Sequence, residues 1–227
     1  MSWAGMPSVM QMMTGMPAVT ASRTASAQKA AGKVICIDPG HGGDKPGAVY
    51  HKRGRPEDRW TLEEKEINLD VALNLRDKLG PDGAGATVLM TRTDDSTTSL
   101  EERVKICSGG AHITVSVHTN STHSSRWDGS LIVVAKDDDW PLAKAIHPIM
   151  YDGLKENWEG LFTDYGINEA AWYIPLHTDM PAVILEPVFM SNHDEAVALR
   201  QEAGIDGSRR AQIVQVAYDG IVAYFAP

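Results

Sequence analysis

Two histidines follow predicted strands and could bind a ligand at one edge of a β-sheet. The apolar run Val34-Ile35-Cys36-Ile37 predicts a buried strand, and Asp-Pro-Gly ends it directly before His41. His118 directly follows a second predicted strand, Ile113-Thr114-Val115-Ser116-Val117. Imidazole is the commonest metal ligand, and the carboxyl ends of neighbouring parallel strands open on one crevice. The pattern predicts a ligand site, although on spacing alone a structural histidine explains His118 equally well.

Two glutamates occupy positions where a carboxylate could be chemically active. Glu186 directly follows the apolar run 181–185, where its charge is either desolvated or held for chemistry, because an unpaired buried charge is costly. Glu64 stands near the start of a helix, where the spacing fits a capping box with Thr61 as the N-cap and Glu64 at N3. From spacing, we therefore favour a chemical role for Glu186 and a structural role for Glu64.

Length, charge and cysteine content narrow the class of protein. A chain of 227 residues with 43% hydrophobic and 22% charged residues is long enough for one α/β domain with a core. The net charge of −9 argues against a nucleic-acid binder, which would present a basic face. No run approaches the roughly 18 apolar residues of a membrane span. We expect Cys36 and Cys107 to be buried thiols rather than a bridge.

Residues 1–32 differ in composition from the rest of the chain. They contain no Asp or Glu and hold six of the ten methionines. Ala25-Ser26-Ala27 resembles a signal-peptidase site, but a basic leading region is missing and Gly and Pro interrupt the apolar stretch. We therefore expect a flexible or docking segment here rather than a cleaved leader, and a catalytic domain over residues 33–227.

The alternation of predicted strands and helices after residue 33 indicates the fold class. We predict a single α/β domain with a twisted, mostly parallel β-sheet flanked by helices on both faces. Strands are predicted at 34–37, 87–90, 113–117, 131–134 and 181–185. The first helix is predicted to follow Thr61 and to end before Gly80, and the others lie at 100–107, 140–158, 194–202 and 208–224. Residues 43–59 are predicted to form a polar loop, and the segment 158–172 is a candidate for shaping a cleft.

Five motifs carry a family resemblance, and they occur in the family's order. They are Ile37-Asp38-Pro39-Gly40-His41-Gly42-Gly43, Glu64-Lys65 ahead of Asn68-Leu69, Thr91-Arg92 with Ser99-Leu100 and Arg103, Ser116-Val117-His118-Thr119-Asn120, and Pro181 to Glu186 with Phe189-Met190-Ser191-Asn192. Together they resemble the zinc-dependent N-acetylmuramoyl-L-alanine amidases of the type-3 amidase family. Each motif is weak alone, but five in order make a specific match.

The resemblance implies a mechanism and a substrate. One zinc ion per chain would be held by His41, Glu64 and His118, and Glu186 would be the catalytic carboxylate that moves a proton from water to the departing amine. The bond cleaved would be the amide that joins the lactyl group of N-acetylmuramic acid to L-alanine in peptidoglycan. The enzyme would then act on the bacterial cell wall, in the periplasm or outside the cell, as a phage-type lysin, a wall-lytic enzyme or a delivered effector made in the cytoplasm.

Departures from the family pattern concern the substrate contacts. Valine stands before Phe189 where the family usually has glycine, and Leu176 replaces a basic residue, with His177 beside it. We expect Asn120 and His177 to contact the substrate. Two alternatives stay open: a zinc peptidase that cuts within the stem peptide, and a non-catalytic wall-binding module on the same fold. The sequence leaves the oligomeric state open.

Overall fold

A six-stranded sheet forms the centre of the molecule. The computed structural model describes residues 29–156 and 158–226, so Ala25-Ser26-Ala27 and nearly all of the methionine-rich segment lie outside the described residues. The strands within the described ranges are β1 Val34–Pro39, β2 Val49–Lys52, β3 Trp60–Glu63, β4 Thr87–Met90, β5 Ile113–Val117, β6 Gly129–Val134, β7 Thr163–Glu169 and β8 Ala182–Glu186. The α-helices there are α1 Glu64–Leu79, α2 Leu100–Cys107, α3 Trp140–Glu156, α4 Tyr173–His177, α5 His193–Ala198 and α6 Arg209–Phe225.

The strand order of the sheet brings three strand ends together. The order is β4-β1-β5-β8-β6-β7, and only the β6–β8 pairing is antiparallel among the five pairings of the described sheet. This confirms the predicted α/β fold with a mostly parallel sheet. Because β1, β5 and β8 are parallel neighbours, the residues that follow them, or end them, lie at one edge.

Helices cover both faces of the sheet, as predicted. Helices α1, α3 and α6 pack together on one face, and α2 and α4 lie on the other. The main hydrophobic core lies between the sheet and the three helices α1, α3 and α6, and β1 contributes Ile35 and Ile37 to it. Among the described residues, no helix is long and apolar enough to cross a bilayer.

Some elements within the predicted loops were not predicted. Strands β2 and β3 form a two-stranded antiparallel hairpin inside the predicted polar loop 43–59 and just after it. β2 alternates between exposed and half-buried positions, and β3 has a single buried residue, Leu62, so both four-residue strands lack the apolar run that indicates a strand. Strand β7 and the short helix α4 arise in and after the segment 158–172, and α5 ends at Ala198 rather than at residue 202.

The prediction that Cys36 and Cys107 are separate thiols is wrong. The two residues form a disulfide, with their Cα atoms 5.3 Å apart. Successive residues of a strand point to opposite faces, so Cys36 points away from the core that Ile35 and Ile37 enter. Helix α2 lies on that opposite face and ends at Cys107. No local pattern indicates which helix covers that face of the sheet, and so the pairing could not be inferred from the sequence.

Removing this disulfide should destabilise the fold. The bridge spans 71 residues of sequence, and the chain-entropy model gives a loop of that size about 4 kcal/mol of stabilisation. We expect the Cys36→Ala/Cys107→Ala variant to lose about 2–4 kcal/mol of unfolding free energy in urea, followed by circular dichroism. Reductant should destabilise the wild type and leave the variant unchanged. Equal urea midpoints for the variant and the oxidised wild type would contradict the expectation.

Candidate metal centre and active site

Three of the predicted site residues meet in one cluster. One carboxylate oxygen of Glu64, Oε2, lies 3.1 Å from His41 Nε2, and the other, Oε1, lies 3.0 Å from His118 Nδ1. One ligand atom from each of the three residues lies within 4.8 Å of the others, which is close enough to hold a metal ion. Two imidazole nitrogens and one carboxylate form a donor set that catalytic zinc sites use.

The two histidines reach the cluster from neighbouring strands. The Gly40 N–H donates to the Val117 carbonyl, and the His118 N–H donates to the Leu185 carbonyl, so the hydrogen bonding of the sheet continues up to the two histidines. The imidazole rings stand 4.9 Å apart, edge to face. A side chain at Gly40 would overlap the ring of His118, and glycine is therefore required where the two strands bring their histidines together.

Glu64 is placed by the start of helix α1, but the predicted capping box is wrong. Thr61 lies within β3, which remains paired up to Glu63, and Glu63 is the N-cap of a helix that begins at Glu64. The carboxylate of Glu64 is therefore free to turn towards the histidines. A capping box and a ligand position share the same sequence pattern, and only the end of the hairpin distinguishes them.

The loop before β2 and the interior of α1 complete the surroundings of Glu64. The Ala48 N–H donates to Oε2, and Asn68 Nδ2 and the Thr119 N–H donate to Oε1. Although burial opposes ionisation, the hydrogen bonds and charges of His118 and His41 lower the pKa of Glu64. The environment therefore favours the ionised form of Glu64 and holds both carboxylate oxygens in place.

Two buried arginines hold the loop that presents His41. Arg103 is 4% exposed and donates to the carbonyls of Pro39 and His41 at 2.6 and 2.5 Å. Arg92 donates to the Gly40 carbonyl at 2.9 Å. His41 has a φ of +63°, and no other non-glycine residue in the described ranges has a positive φ. Since that backbone conformation is unfavourable for a histidine, these hydrogen bonds maintain it.

Asp38 anchors the same loop from below, a role that sequence reasoning missed. Its carboxylate accepts hydrogen bonds from Thr91 Oγ1, Ser116 Oγ and Arg103 Nη1, at 2.5, 2.6 and 2.8 Å. Although burial opposes it, the charge of Arg103 and these hydrogen bonds lower the pKa of Asp38. Asp38 closes an apolar strand, and this position could have indicated its role. Its hydroxyl and guanidinium partners lie in two distant motifs of the sequence.

Glu186 ends β8 beside the cluster and has a very different environment. The residue is 5% exposed, and its Oε2 is buried without a hydrogen-bond partner among the described residues. Burial, together with the negative charge of Glu64, raises the pKa of Glu186 well above its usual value. A carboxylate with one unpaired oxygen and a raised pKa is suited to exchanging protons.

The two expected substrate contacts lie on separate elements. Asn120 follows His118 by two residues and its Oδ1 accepts the Ser121 N–H at 2.7 Å. His177 ends α4, is exposed, and stacks on the ring of Tyr173 with the centroids 4.0 Å apart. Trp172, directly before α4, is 43% exposed, and its ring lies 6.4 Å from that of His118. An exposed aromatic ring therefore borders the site on the side of α4.

Comparison with known proteins extends the similarity from the site to the whole domain. A family model described as "N-acetylmuramoyl-L-alanine amidase" matches residues 35–222. N-acetylmuramoyl-L-alanine amidase LytC of Bacillus subtilis (strain 168) is 32% identical over 199 residues, which are 86% of this chain and 36% of LytC. The probable cell wall amidase LytH of Staphylococcus aureus is 30% identical over 209 residues, which are 92% of this chain and 64% of LytH. The chain thus spans less than two thirds of the length of either relative.

A solved structure matches the fold closely. The catalytic domain of CwlV, an N-acetylmuramoyl-L-alanine amidase from Bacillus (Paenibacillus) polymyxa var. colistinus, superposes with a TM-score of 0.71 at 31% identity. The match covers 85% of this chain and 97% of that domain. With a family model that reaches from β1 into α6, the chain belongs to the N-acetylmuramoyl-L-alanine amidase family.

Proposed function

We propose that the chain hydrolyses the amide bond between the lactyl group of N-acetylmuramic acid and L-alanine in peptidoglycan. The observation that carries this proposal is the meeting of His41, Glu64 and His118 with the buried Glu186 at one edge of the sheet, in a member of this family. The similarity to LytC and to the CwlV catalytic domain supports the choice of bond.

The residues of the cluster fit a zinc ion. Glu64 and Glu186 place two carboxylates close together in a buried setting, and Glu186 keeps one oxygen unpaired there. A divalent cation between the imidazoles would offset that negative charge. We therefore assign His41, Glu64 and His118 as the zinc ligands. Bound there, zinc supplies Lewis acidity, which polarises a carbonyl and lowers the pKa of water.

The side chains of the chain divide the remaining work. His41 and His118 each place a ring nitrogen next to an oxygen of Glu64, and the Glu64 carboxylate thereby fixes both rings. Ionised Glu186 accepts a proton from the attacking water at its carboxylate and then donates that proton to the amide nitrogen as the C–N bond breaks. Its raised pKa favours the first transfer, because burial and the negative charge of Glu64 make the Glu186 carboxylate a stronger base.

The cellular location follows from the substrate and from the disulfide. Disulfides persist in oxidising compartments, and the Cys36–Cys107 bridge therefore supports action outside the cytoplasm, on the cell wall. The similarity to the wall amidases LytC and LytH agrees with this location. Within that setting, a wall-lytic enzyme of the phage-lysin type stays the narrower prediction from the sequence.

The products of peptidoglycan digestion test the proposed bond. We expect mass spectrometry to detect free stem peptides that begin with L-alanine. A chelator should prevent their release and added zinc should restore it, because the proposed ligands hold a metal that the reaction needs. Fragments cut within the stem would instead establish a peptidase. Binding of peptidoglycan without any product, by zinc-loaded protein, would favour the non-catalytic module.

Replacing Glu186 should separate catalysis from metal binding. Glu186→Gln keeps the size of the side chain but cannot accept the proton, and general acid–base catalysis contributes about 10²- to 10⁴-fold. We expect kcat to fall by about that factor while the zinc content stays near one per chain. Glu66→Gln, on the exposed face of α1, is the matched control and should retain wild-type kcat. A zinc-loaded Glu186→Gln protein with normal kcat would remove Glu186 from the mechanism.

Replacing His118 should remove the metal itself. His118→Ala deletes one of three ligand atoms and leaves Glu64 without one of its partners, so we expect loss of zinc after dialysis, measured by elemental analysis. His147→Ala is the control, since His147 pairs with Asp164 on α3 and β7 and should leave the zinc content unchanged. Full zinc occupancy in folded His118→Ala protein would contradict the ligand assignment.

A further inference from the structure

A polar cleft of about 720 Å³ opens beside the site. One wall is strand β2 with Arg53, and the opposite wall is the loop after His118 together with the start of α5. The residues that line the cleft are Val49, Tyr50, His51, Lys52, Arg53, Ser121, Thr122, His123, Ser125, Ser191 and His193. None of these residues belongs to the proposed metal site or to its catalytic carboxylate.

Both walls of the cleft continue directly from the metal cluster. Ala48, whose N–H donates to Glu64 Oε2, is the residue before β2. On the other side, Ser121 follows His118 by three residues. The two walls are joined across the cleft, because the Tyr50 hydroxyl lies 2.7 Å from His193 Nδ1. A substrate that extends away from the metal in this direction enters the cleft.

The lining of the cleft is basic, in contrast to the rest of the chain. It carries Lys52, Arg53 and three histidines, and no carboxylate occurs among its described lining residues. A second cleft shares His51, Lys52 and Arg53, adds Arg59, and likewise has no carboxylate in its described lining. By contrast, the cleft between α1 and α6 is lined by three aspartates, Asp77, Asp82 and Asp206. In a chain of net charge −9, a basic cleft next to the metal cluster is a local exception.

The two permanent charges of this cleft are not used by the fold. The side chains of Lys52 and Arg53 have no hydrogen bond or ion pair with any other described residue, whereas the buried Arg92, Arg103 and Arg209 are each bonded to several groups. Glu57 and Asp58, in the 3₁₀ turn of the same hairpin, are exposed and do not pair with them either. An anionic ligand would therefore not have to displace an internal partner.

We propose that this basic cleft is a subsite for the free carboxylates of the peptidoglycan stem peptide. The inference rests on the proposed function, in which the scissile amide joins the sugar to the first residue of that peptide. An extended peptide advances about 3.3–3.6 Å per residue, so acidic groups a few residues beyond the scissile bond can reach Lys52 and Arg53. Charge-assisted hydrogen bonds from a lysine and an arginine then favour stems with free rather than amidated carboxyl groups.

A pair of matched substrates tests this subsite. Two synthetic muramoyl peptides of the same sequence are compared, one with free side-chain and terminal carboxylates and one with both amidated. We expect the full-length, zinc-loaded wild type to have the lower KM for the acidic substrate. Lys52→Glu/Arg53→Glu should raise that KM about tenfold or more, leaving kcat and the KM for the amidated substrate nearly unchanged. Lys144→Glu/Lys155→Glu, exposed on α3, makes the same charge change and should alter neither KM.

A binding measurement separates the subsite from the proposed reaction. Calorimetry with the free acidic and amidated stem peptides needs no turnover, and the wild type should bind the acidic peptide more tightly while the Lys52/Arg53 variant does not discriminate. If the wild type cleaves neither substrate, the proposed function fails and the calorimetry still decides the subsite. Equal wild-type affinity for the two peptides, or an equal loss of affinity for both in the variant, would overturn the subsite.

Discussion

The hydrogen bonds and ion pairs of the buried Glu64 carboxylate are the interaction on which the arrangement of the structure depends. A buried, ionised carboxylate is stable only if its oxygens accept hydrogen bonds or form ion pairs. The partners of Glu64 are both imidazoles, Asn68 one turn along α1, and two backbone N–H groups. Those partners come from the ends of two strands, a loop and a helix. The sheet order, the hairpin and the start of α1 must therefore all be correct for one side chain to be satisfied.

The two glutamates of the site show how the same group acquires opposite properties. Glu64 is surrounded by donors, which favour its ionised form, whereas Glu186 is equally buried but has one oxygen without a hydrogen-bond partner among the described residues. Desolvation without compensation makes the charged form costly and raises the pKa. The fold thus favours the ionised form of Glu64 and the protonation of Glu186. The number of hydrogen-bond donors around each carboxylate causes this difference.

Local patterns predicted what depends on local structure. The strands that lead to His41, His118 and Glu186 were predicted together with these polar side chains, because a buried parallel strand and the polar residue at its end are adjacent in sequence. Spacing misled for Glu64, since its role depends on where an unpredicted hairpin stops. The disulfide and the anchoring by Asp38 are contacts between distant segments, which no local pattern determines. For the ligand set, the family motifs supplied what spacing could not.

Helix α2 lines none of the site, yet it is fastened to the strand and loop that present His41 in two independent ways. Cys107 is covalently joined to β1, and Arg103 reaches the carbonyls that follow this strand. The helix thus holds the loop of His41 in place from outside the site. Substitutions that shift α2 would therefore change the position of His41 without contacting the site. Formation of the disulfide also fixes the helix whose Arg103 orders the loop of His41. Disulfide formation and the positioning of His41 therefore both depend on α2.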